Sequence, residues 1–236
     1  MRRGLYVGEA RAVTKYIMKG MVRHMHIDTK DLLNSIMESF DRISYVKPSD
    51  IPNIDLYMDQ VTTFMDKNFR KNTRYPRNDK VMTKTMINNY AKNDLLPPPV
   101  RKKYSKDHIL VLIFIYYYKG ILSISDIQTL LGPVTEKFFH KSEGFDIQSV
   151  YEEVFQVGYD QIEALKKHVM AEYDRAMGTF EDAPEDSREF LKLFSFICFL
   201  SFDVYMKKQL IETLIDEIKE GGFDRAGLKK GEKKND

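Results

Sequence analysis

The chain of 236 residues has little of several things that common protein classes require. Its only cysteine, Cys198, excludes an internal disulfide framework and a multi-cysteine metal cluster, and it favours a reducing cytosol. The longest apolar runs, residues 109–118 and 190–202, fall short of the roughly 20 residues that a membrane-spanning helix needs, and Lys192 interrupts the second. We therefore expect buried core helices, a cytoplasmic location and no contact with a membrane.

Patterns that mark catalytic sites are also missing from the sequence. There is no glycine-rich phosphate loop, and the three histidines after residue 100 lie outside any nucleophile or metal motif. His24 and His26 form an HxH pair without a third ligand nearby. His108, near a helix start, is expected at the surface or partly hydrogen-bonded. We predict that the protein is not an enzyme and that it holds no cofactor and no metal.

Charge is abundant and unevenly distributed. The formal net charge is only +2, but residues 67–108 hold twelve Lys and Arg against three Asp and Glu. Residues 142–224 hold eight Lys and Arg against nineteen Asp and Glu. A basic block followed by an acidic block suggests that one part of the chain meets a polyanion and that the other part has a different task.

Apolar residues recur mainly at helical spacing, so the predicted fold class is mainly α. Helices are expected over residues 28–44 and 53–69, from a Thr83 cap to about residue 93, and over 105–119. A capping box at Ser123 and Asp126 begins a helix that should end at Leu131, because Gly132 and Pro133 follow. Two long helices are expected at about 147–177 and 185–220, and residues 100–104 could form half of a small hairpin.

These patterns divide the chain into five predicted parts. The sequence predicts an N-terminal extension over residues 1–27, where no secretory signal is evident and where Met21 or Met25 could be the translation start. The other parts are a helix and linker over 28–52, a helix-turn-helix domain over 53–141, a helical dimerisation or effector domain over 142–224, and a basic tail over 225–236.

The order of motifs in residues 83–131 resembles the MerR family of DNA-binding regulators. The resemblance rests on a short helix, a Leu-Leu-Pro turn at Leu95–Pro97, a basic segment that ends in Tyr104, and a following helix pair. From about Pro52 onward the chain is also similar to a bacterial family, domain of unknown function 1836, through PNIDLYMDQV, TKTMINNYAKNDLLPPPV and YYKGILSISDIQ. It departs from the MerR pattern at Asn88, usually Arg, and at Asp94, usually Gly, although Asp tolerates a left-handed backbone better than most residues.

The resemblance implies a winged helix-turn-helix that binds double-stranded DNA and acts in transcription regulation as a homodimer. The residue types agree, because a short helix with a small, polar and basic outer face can enter the major groove. Arg70, Lys71, Arg74, Arg77 and Lys80 are further candidates for phosphate contacts. The predicted DNA-contact residues are Lys84, Thr85, Asn88, Asn89, Lys92, Arg101, Lys102, Lys103 and Tyr104.

Two alternatives stay open for the protein as a whole. The first is the DNA-binding regulator, whose signal, effector and operator the sequence does not give. The second is a protein-interaction module in which the helix-turn-helix no longer binds DNA and its basic face meets an acidic partner. The apolar helix at residues 190–202 is crowded on nearly every side, so either neighbouring helices or a second subunit must cover it.

Overall fold

The computed structural model describes residues 29–40, 46–141 and 143–221. The chain divides into two compact units, residues 1–43 and 44–236. In the first unit, helix α1 spans Thr29–Phe40. The predicted N-terminal extension with its HxH pair, and the predicted basic tail, lie outside the described residues. The predicted domain boundaries stay predictions.

The second unit is mainly helical, which confirms the predicted class. Among its described residues, one small sheet and two single-turn 3₁₀ segments, Pro48–Asp50 and Arg70–Asn72, accompany the helices. The remaining elements in chain order are β1 Leu56–Tyr57, α2 Met58–Phe69, α3 Lys84–Lys92, β2 Lys103–Tyr104, α4 Lys106–Tyr118, α5 Ile124–Phe138, α6 Ile147–Asp160, α7 Ile162–Met177 and α8 Glu185–Lys219.

The sheet consists of β1 and β2 in antiparallel pairing. Leu56 lies opposite Tyr104, and Tyr57 lies opposite Lys103. The sequence predicts a helix from residue 53, whereas α2 begins at Met58 because the two preceding residues are extended and pair with β2. The strand expected within residues 100–104 is present, and its partner comes from far upstream in the chain.

Helix starts agree with the predicted caps. The hydroxyl of Thr83 accepts a hydrogen bond from the backbone N–H of Met86 at 3.2 Å. Ser123 accepts from the N–H of Asp126 at 3.2 Å, while the Asp126 carboxylate accepts from the N–H of Ser123 at 3.3 Å. These bonds satisfy N–H groups that a helix start otherwise leaves without partners, so the predicted starts of α3 and α5 are confirmed.

The predicted end of α5 is wrong, because the helix continues through Pro133 to Phe138. Pro133 has no N–H to donate to the carbonyl of Thr129, the usual reason that proline ends a helix. Here Leu131 is buried in the core and Val134 packs against it, so tertiary packing outweighs one lost hydrogen bond. The hydroxyl of Thr135 donates to the carbonyl oxygens of Leu131 and Gly132 at 3.1 and 3.0 Å.

The helix predicted over 147–177 is divided into α6 and α7 at Gln161. The N–H of Gln161 bonds to the carbonyl of Gly158, three residues back, and the carbonyl of Gln161 accepts from Leu165 as α7 begins. The second predicted long helix is confirmed as α8, and no helix in the described part of the chain is both long and apolar enough to cross a bilayer.

The hydrophobic core of the second unit surrounds α4, whose residues from His108 to Phe114 are buried on every side of the helix. Helices α2 and α3, the strand residues Leu56 and Tyr104, and residues of α5, α6 and α8 also enter this core. The hydroxyl of Tyr151 on α6 donates to the carbonyl of Val46 at 2.8 Å. The core therefore joins the basic block to the start of the acidic block.

Candidate nucleic-acid interface

Helix α3 presents one apolar face inward and one polar face outward. Ile87 and Tyr90 are buried, whereas Lys84, Asn88 and Lys92 are exposed at successive i, i+4 positions. Thr85 and Asn89 are exposed beside this row. The five residues predicted on this helix therefore share one accessible surface.

Lys84 also has a partner within the protein. Its ammonium group forms an ion pair with the carboxylate of Asp59 in the first turn of α2, and both side chains are more than half exposed. Exposed ion pairs contribute little net free energy, typically about 0–1 kcal/mol. The pair orients the start of α3 against α2, and a phosphate at this position would compete with Asp59.

The chain leaves α3 through a left-handed residue. Asp94 has φ +53°, a left-handed conformation that Asp adopts more readily than most residues other than glycine. The backbone N–H groups of Leu95 and Leu96 both donate to the carbonyl of Tyr90, at 2.9 and 3.2 Å, and both leucine side chains are buried. The side-chain amide of Gln128 on α5 donates to the carbonyl of Asn93. These contacts fix the direction in which the chain continues.

A tight turn follows at Val100–Lys103, and we call it the basic turn. The N–H of Lys103 donates to the carbonyl of Val100 at 2.9 Å, and the two central residues are Arg101 at φ +51° and Lys102 at φ +62°. Positive φ at both central positions is the feature of type I′ turns, which strongly favour Asn-Gly. Arg101 and Lys102 are both exposed.

The basic turn and the start of α3 lie at the same end of α2. The ammonium group of Lys103 lies over the ring of Tyr57, 5.2 Å from its centroid, and Tyr57 immediately precedes α2. Asp59, which pairs with Lys84, is two residues further along. The predicted contact residues of the two segments are therefore anchored side by side.

Tyr104, predicted as a contact residue, is 3% exposed. Its side chain points into the core, where its ring meets the edge of His108 at a centroid distance of 5.5 Å. Burial raises the pKa of the Tyr104 phenol. Side chains alternate between the inside and the outside along β2, and Tyr104, which pairs with Leu56, points inward. In this conformation Tyr104 holds the basic turn against the core.

Of the two expectations for His108, the surface position is wrong because the side chain is buried, whereas the hydrogen-bonded side chain is present. The backbone N–H of Ser105 donates to Nδ1 at 3.0 Å, so Nε2 carries the proton and faces the carbonyl oxygen of Pro98 at 3.4 Å. Burial lowers the pKa of His108, and His140, whose ring centroid is 5.7 Å away, lowers it further. His108 thereby connects α4 to the proline segment that precedes the basic turn. Its position three residues after the Ser105 cap is the sequence signal for this role.

The loop between α2 and α3 borders an open groove of about 580 Å³, lined by Thr62, Thr63, Asp66, Arg70, Lys80, Met82, Thr83, Lys84 and Thr85. Arg70 donates to the Asp66 carboxylate and, at 3.3 Å, to the carbonyl oxygen of Pro76. Its guanidinium group therefore holds the loop as well as adding charge. Lys71, Arg74 and Arg77 are exposed in the same loop.

The described ranges contain no group of three or more His, Cys, Asp or Glu residues able to hold a metal ion.

Residues 46–154 match the family model described as Domain of unknown function (DUF1836), which supports that family resemblance. The matched segment contains α2, α3, the basic turn and every predicted contact residue. No curated protein and no solved structure matches the chain.

Proposed function

We propose that this protein is a DNA-binding transcription regulator that holds duplex DNA through the outer face of α3 and through the basic turn. The strained conformation of Arg101 and Lys102 is the observation that carries the proposal. A left-handed backbone costs a residue other than glycine roughly 1–2 kcal/mol. Backbone strain of this kind clusters at binding sites, because the side chains concerned are needed there.

The chemistry of the two segments is complementary to that of duplex DNA. Asparagine side chains, such as Asn88 and Asn89, can pair with adenine in the major groove, while lysine can contact guanine or phosphate. The basic turn holds two exposed cations beside this helix, where they would meet the sugar-phosphate backbone. The proposal thus assigns base recognition to α3 and backbone attachment to the turn.

The order of elements also supports a MerR-like arrangement. A short helix, a Leu-Leu-Pro turn, a basic turn followed by Tyr104, and the helix pair α4–α5 follow one another as the resemblance expects. The connection between α2 and α3, residues 70–83, is much longer than the three or four residues usual in a helix-turn-helix. We therefore propose which surface contacts DNA but not the angle at which α3 enters the groove. We also propose a cytoplasmic location and a second copy of the chain as a further partner.

A protein-interaction module remains the second candidate function. Lys84 pairs with Asp59 and Arg70 pairs with Asp66, so part of the predicted cationic surface is already neutralised within the protein. A surface of this kind can serve an acidic protein partner instead of a polyanion.

Selection of bound genomic fragments at moderate salt tests the DNA proposal. We expect enriched fragments that share a sequence, and we expect Asn88→Ala to relax that sequence at a cost of about 1–3 kcal/mol on the best site. Asn68→Ala, which removes an exposed asparagine of α2, is the matched control and should leave the selected sequence unchanged. If nothing is enriched and both variants behave like the parent, the interaction module is the better account.

A further inference from the structure

The outer face of the β1–β2 sheet carries three side chains in one row. Lys103 lies opposite Tyr57 in the sheet, and a separate antiparallel bridge joins Lys103 to Val100. Directly opposed residues of an antiparallel pair have their side chains on the same face. Leu56 and Tyr104 occupy the other face and are buried in the core. Tyr57, Lys103 and Val100 therefore form one outward row, which we call the sheet row.

The sheet row is apolar at both ends and basic in the middle. Tyr57 is 54% exposed and Val100 is 62% exposed, although their neighbours Leu56 and Tyr104 are buried. The ammonium group of Lys103 lies over the Tyr57 ring, and this cation–π contact leaves more than half of Tyr57 in water. The two apolar ends of the row therefore contribute little to the core of the protein.

The backbone of Tyr57 places its ring close to the proposed DNA-binding segments. Its N–H donates to the side-chain oxygen of Gln60 at 2.8 Å, at the start of α2. Asp59, which pairs with Lys84 of α3, lies in the same turn of α2. The sheet row is therefore found at the end of α2 where the basic turn and the start of α3 also lie.

We propose that the sheet row is a third part of the DNA interface, in which the Tyr57 ring packs on the deoxyribose beside a phosphate bound by Lys103. This inference rests on the proposed DNA binding and adds an apolar contact, made by a residue outside the predicted contact set. Deoxyribose adjoins every phosphate of a DNA strand and offers carbon atoms to an apolar side chain. Arg101 and Lys102 extend the positive charge beside the row, so a polyanion with apolar surface between its charges is the occupant that fits.

A ring that DNA covers adds affinity without releasing counterions. An aromatic side chain buries about 150–250 Å² when it is fully covered, so the 54% exposure of Tyr57 leaves about 100 Å² to bury. Covering about half of that area, at about 25 cal/mol per Å², corresponds to about a tenfold gain in affinity. Removal of the ring takes away no charge, so the slope of log K against log salt should stay parental.

Fluorescence anisotropy with a selected duplex separates the apolar contact from the ionic one. Tyr57→Ala should weaken binding about tenfold with an unchanged salt slope, whereas Tyr57→Phe should bind like the parent because it keeps the ring. Lys103→Gln should make the slope shallower by about 0.9. Phe180→Ala, which truncates an exposed aromatic side chain between α7 and α8, is the matched control and should bind like the parent.

Nitration of the parent protein by tetranitromethane tests the same contact without a substitution. Bound duplex should protect the Tyr57 ring, while Tyr205, 58% exposed on α8, should react equally with and without DNA. A parent protein that selects no duplex would refute the proposed function, and this inference with it. If the parent binds a duplex but Tyr57→Ala binds it equally well, or Tyr57 stays reactive in the complex, the sheet-row contact alone is overturned.

Discussion

Replacing the two strained cations by the residues that their backbone favours should change stability and DNA affinity in opposite directions. The variant is Arg101→Asn with Lys102→Gly, which places Asn-Gly in the type I′ turn between Val100 and Lys103. Both changes leave the hydrogen bond from Lys103 to Val100 intact, since it is formed by backbone atoms. The variant therefore relieves strain while it removes two positive charges.

The stability gain follows from the two φ angles. Relief of two left-handed residues is worth about 2–4 kcal/mol, from which the residual strain of asparagine and the added chain entropy of glycine in the unfolded state subtract roughly 1–2 kcal/mol. A net gain of about 1–2 kcal/mol should raise the Tm by about 2–8 °C for a chain of this size. Thermal unfolding followed by circular dichroism measures this change.

The loss of DNA affinity follows from counterion release. Each phosphate contact contributes about −0.9 to the slope of log K against log salt, so removal of two contacts should make the slope shallower by about 1.8. The charge-matched control is Lys167→Gln with Arg175→Gln, which removes two exposed charges from α7. This control should change the slope of log K against log salt much less. Fluorescence anisotropy with a selected duplex between 50 and 300 mM salt gives both slopes.

Two outcomes would refute the reasoning. A lower Tm for the Asn-Gly variant would mean that Arg101 and Lys102 stabilise the fold by contacts that outweigh their backbone strain. A higher Tm with an unchanged salt slope would mean that the strain is unrelated to DNA, and the interaction module would then gain support.

Two further predictions concern the fold around the site. The folded-state pKa of His108 lies below its ordinary value, so the unfolded chain binds a proton at a higher pH than the folded chain does. The contribution of neutral His108 to the free energy of unfolding is therefore intact above about pH 6.5 and is lost as the pH falls below that value. Urea midpoints at pH 7.5 and 5.5 should therefore differ less for His108→Gln than for the parent, while His168→Gln, which replaces an exposed histidine of α7, should keep the parental difference. Pro133→Ala should restore the hydrogen bond to the Thr129 carbonyl in α5 and raise stability by about 1–2 kcal/mol. Pro184→Ala, at the cap of α8, should give no such gain, and equal effects of the two proline changes would contradict this account.

Local chemistry made much of the fold predictable. Thr83 and Ser123 begin helices because their hydroxyls satisfy N–H groups within three residues, and no distant contact is needed for that. The alternation of Ile87 and Tyr90 with Lys84 and Asn88 gives α3 its inner and outer faces in the same local way. The outer face of the candidate site was therefore predictable residue by residue.

Elsewhere, packing between distant residues produced structure that the same local patterns did not predict. Pro133 is a strong signal for a helix end, yet the packing of Leu131 and Val134 keeps α5 helical beyond it. The basic turn contains neither Asn nor Gly, so the sequence carries no signal for the positive φ angles of Arg101 and Lys102. Pairing of β2 with a strand more than forty residues upstream holds this turn in place.

The sequence by itself determined the helical class, the helix caps, the polar face of α3 and the separation of basic from acidic blocks, because each depends on neighbours within a few residues. Only the tertiary structure decided that Tyr104 and His108 lie inside, that Arg101 and Lys102 form the strained turn, and that α5 packs on the C-terminal end of α8 while Phe190 and Phe194 near its start stay exposed. Those outcomes depend on contacts between residues far apart in the sequence, and these contacts form only when the whole core packs.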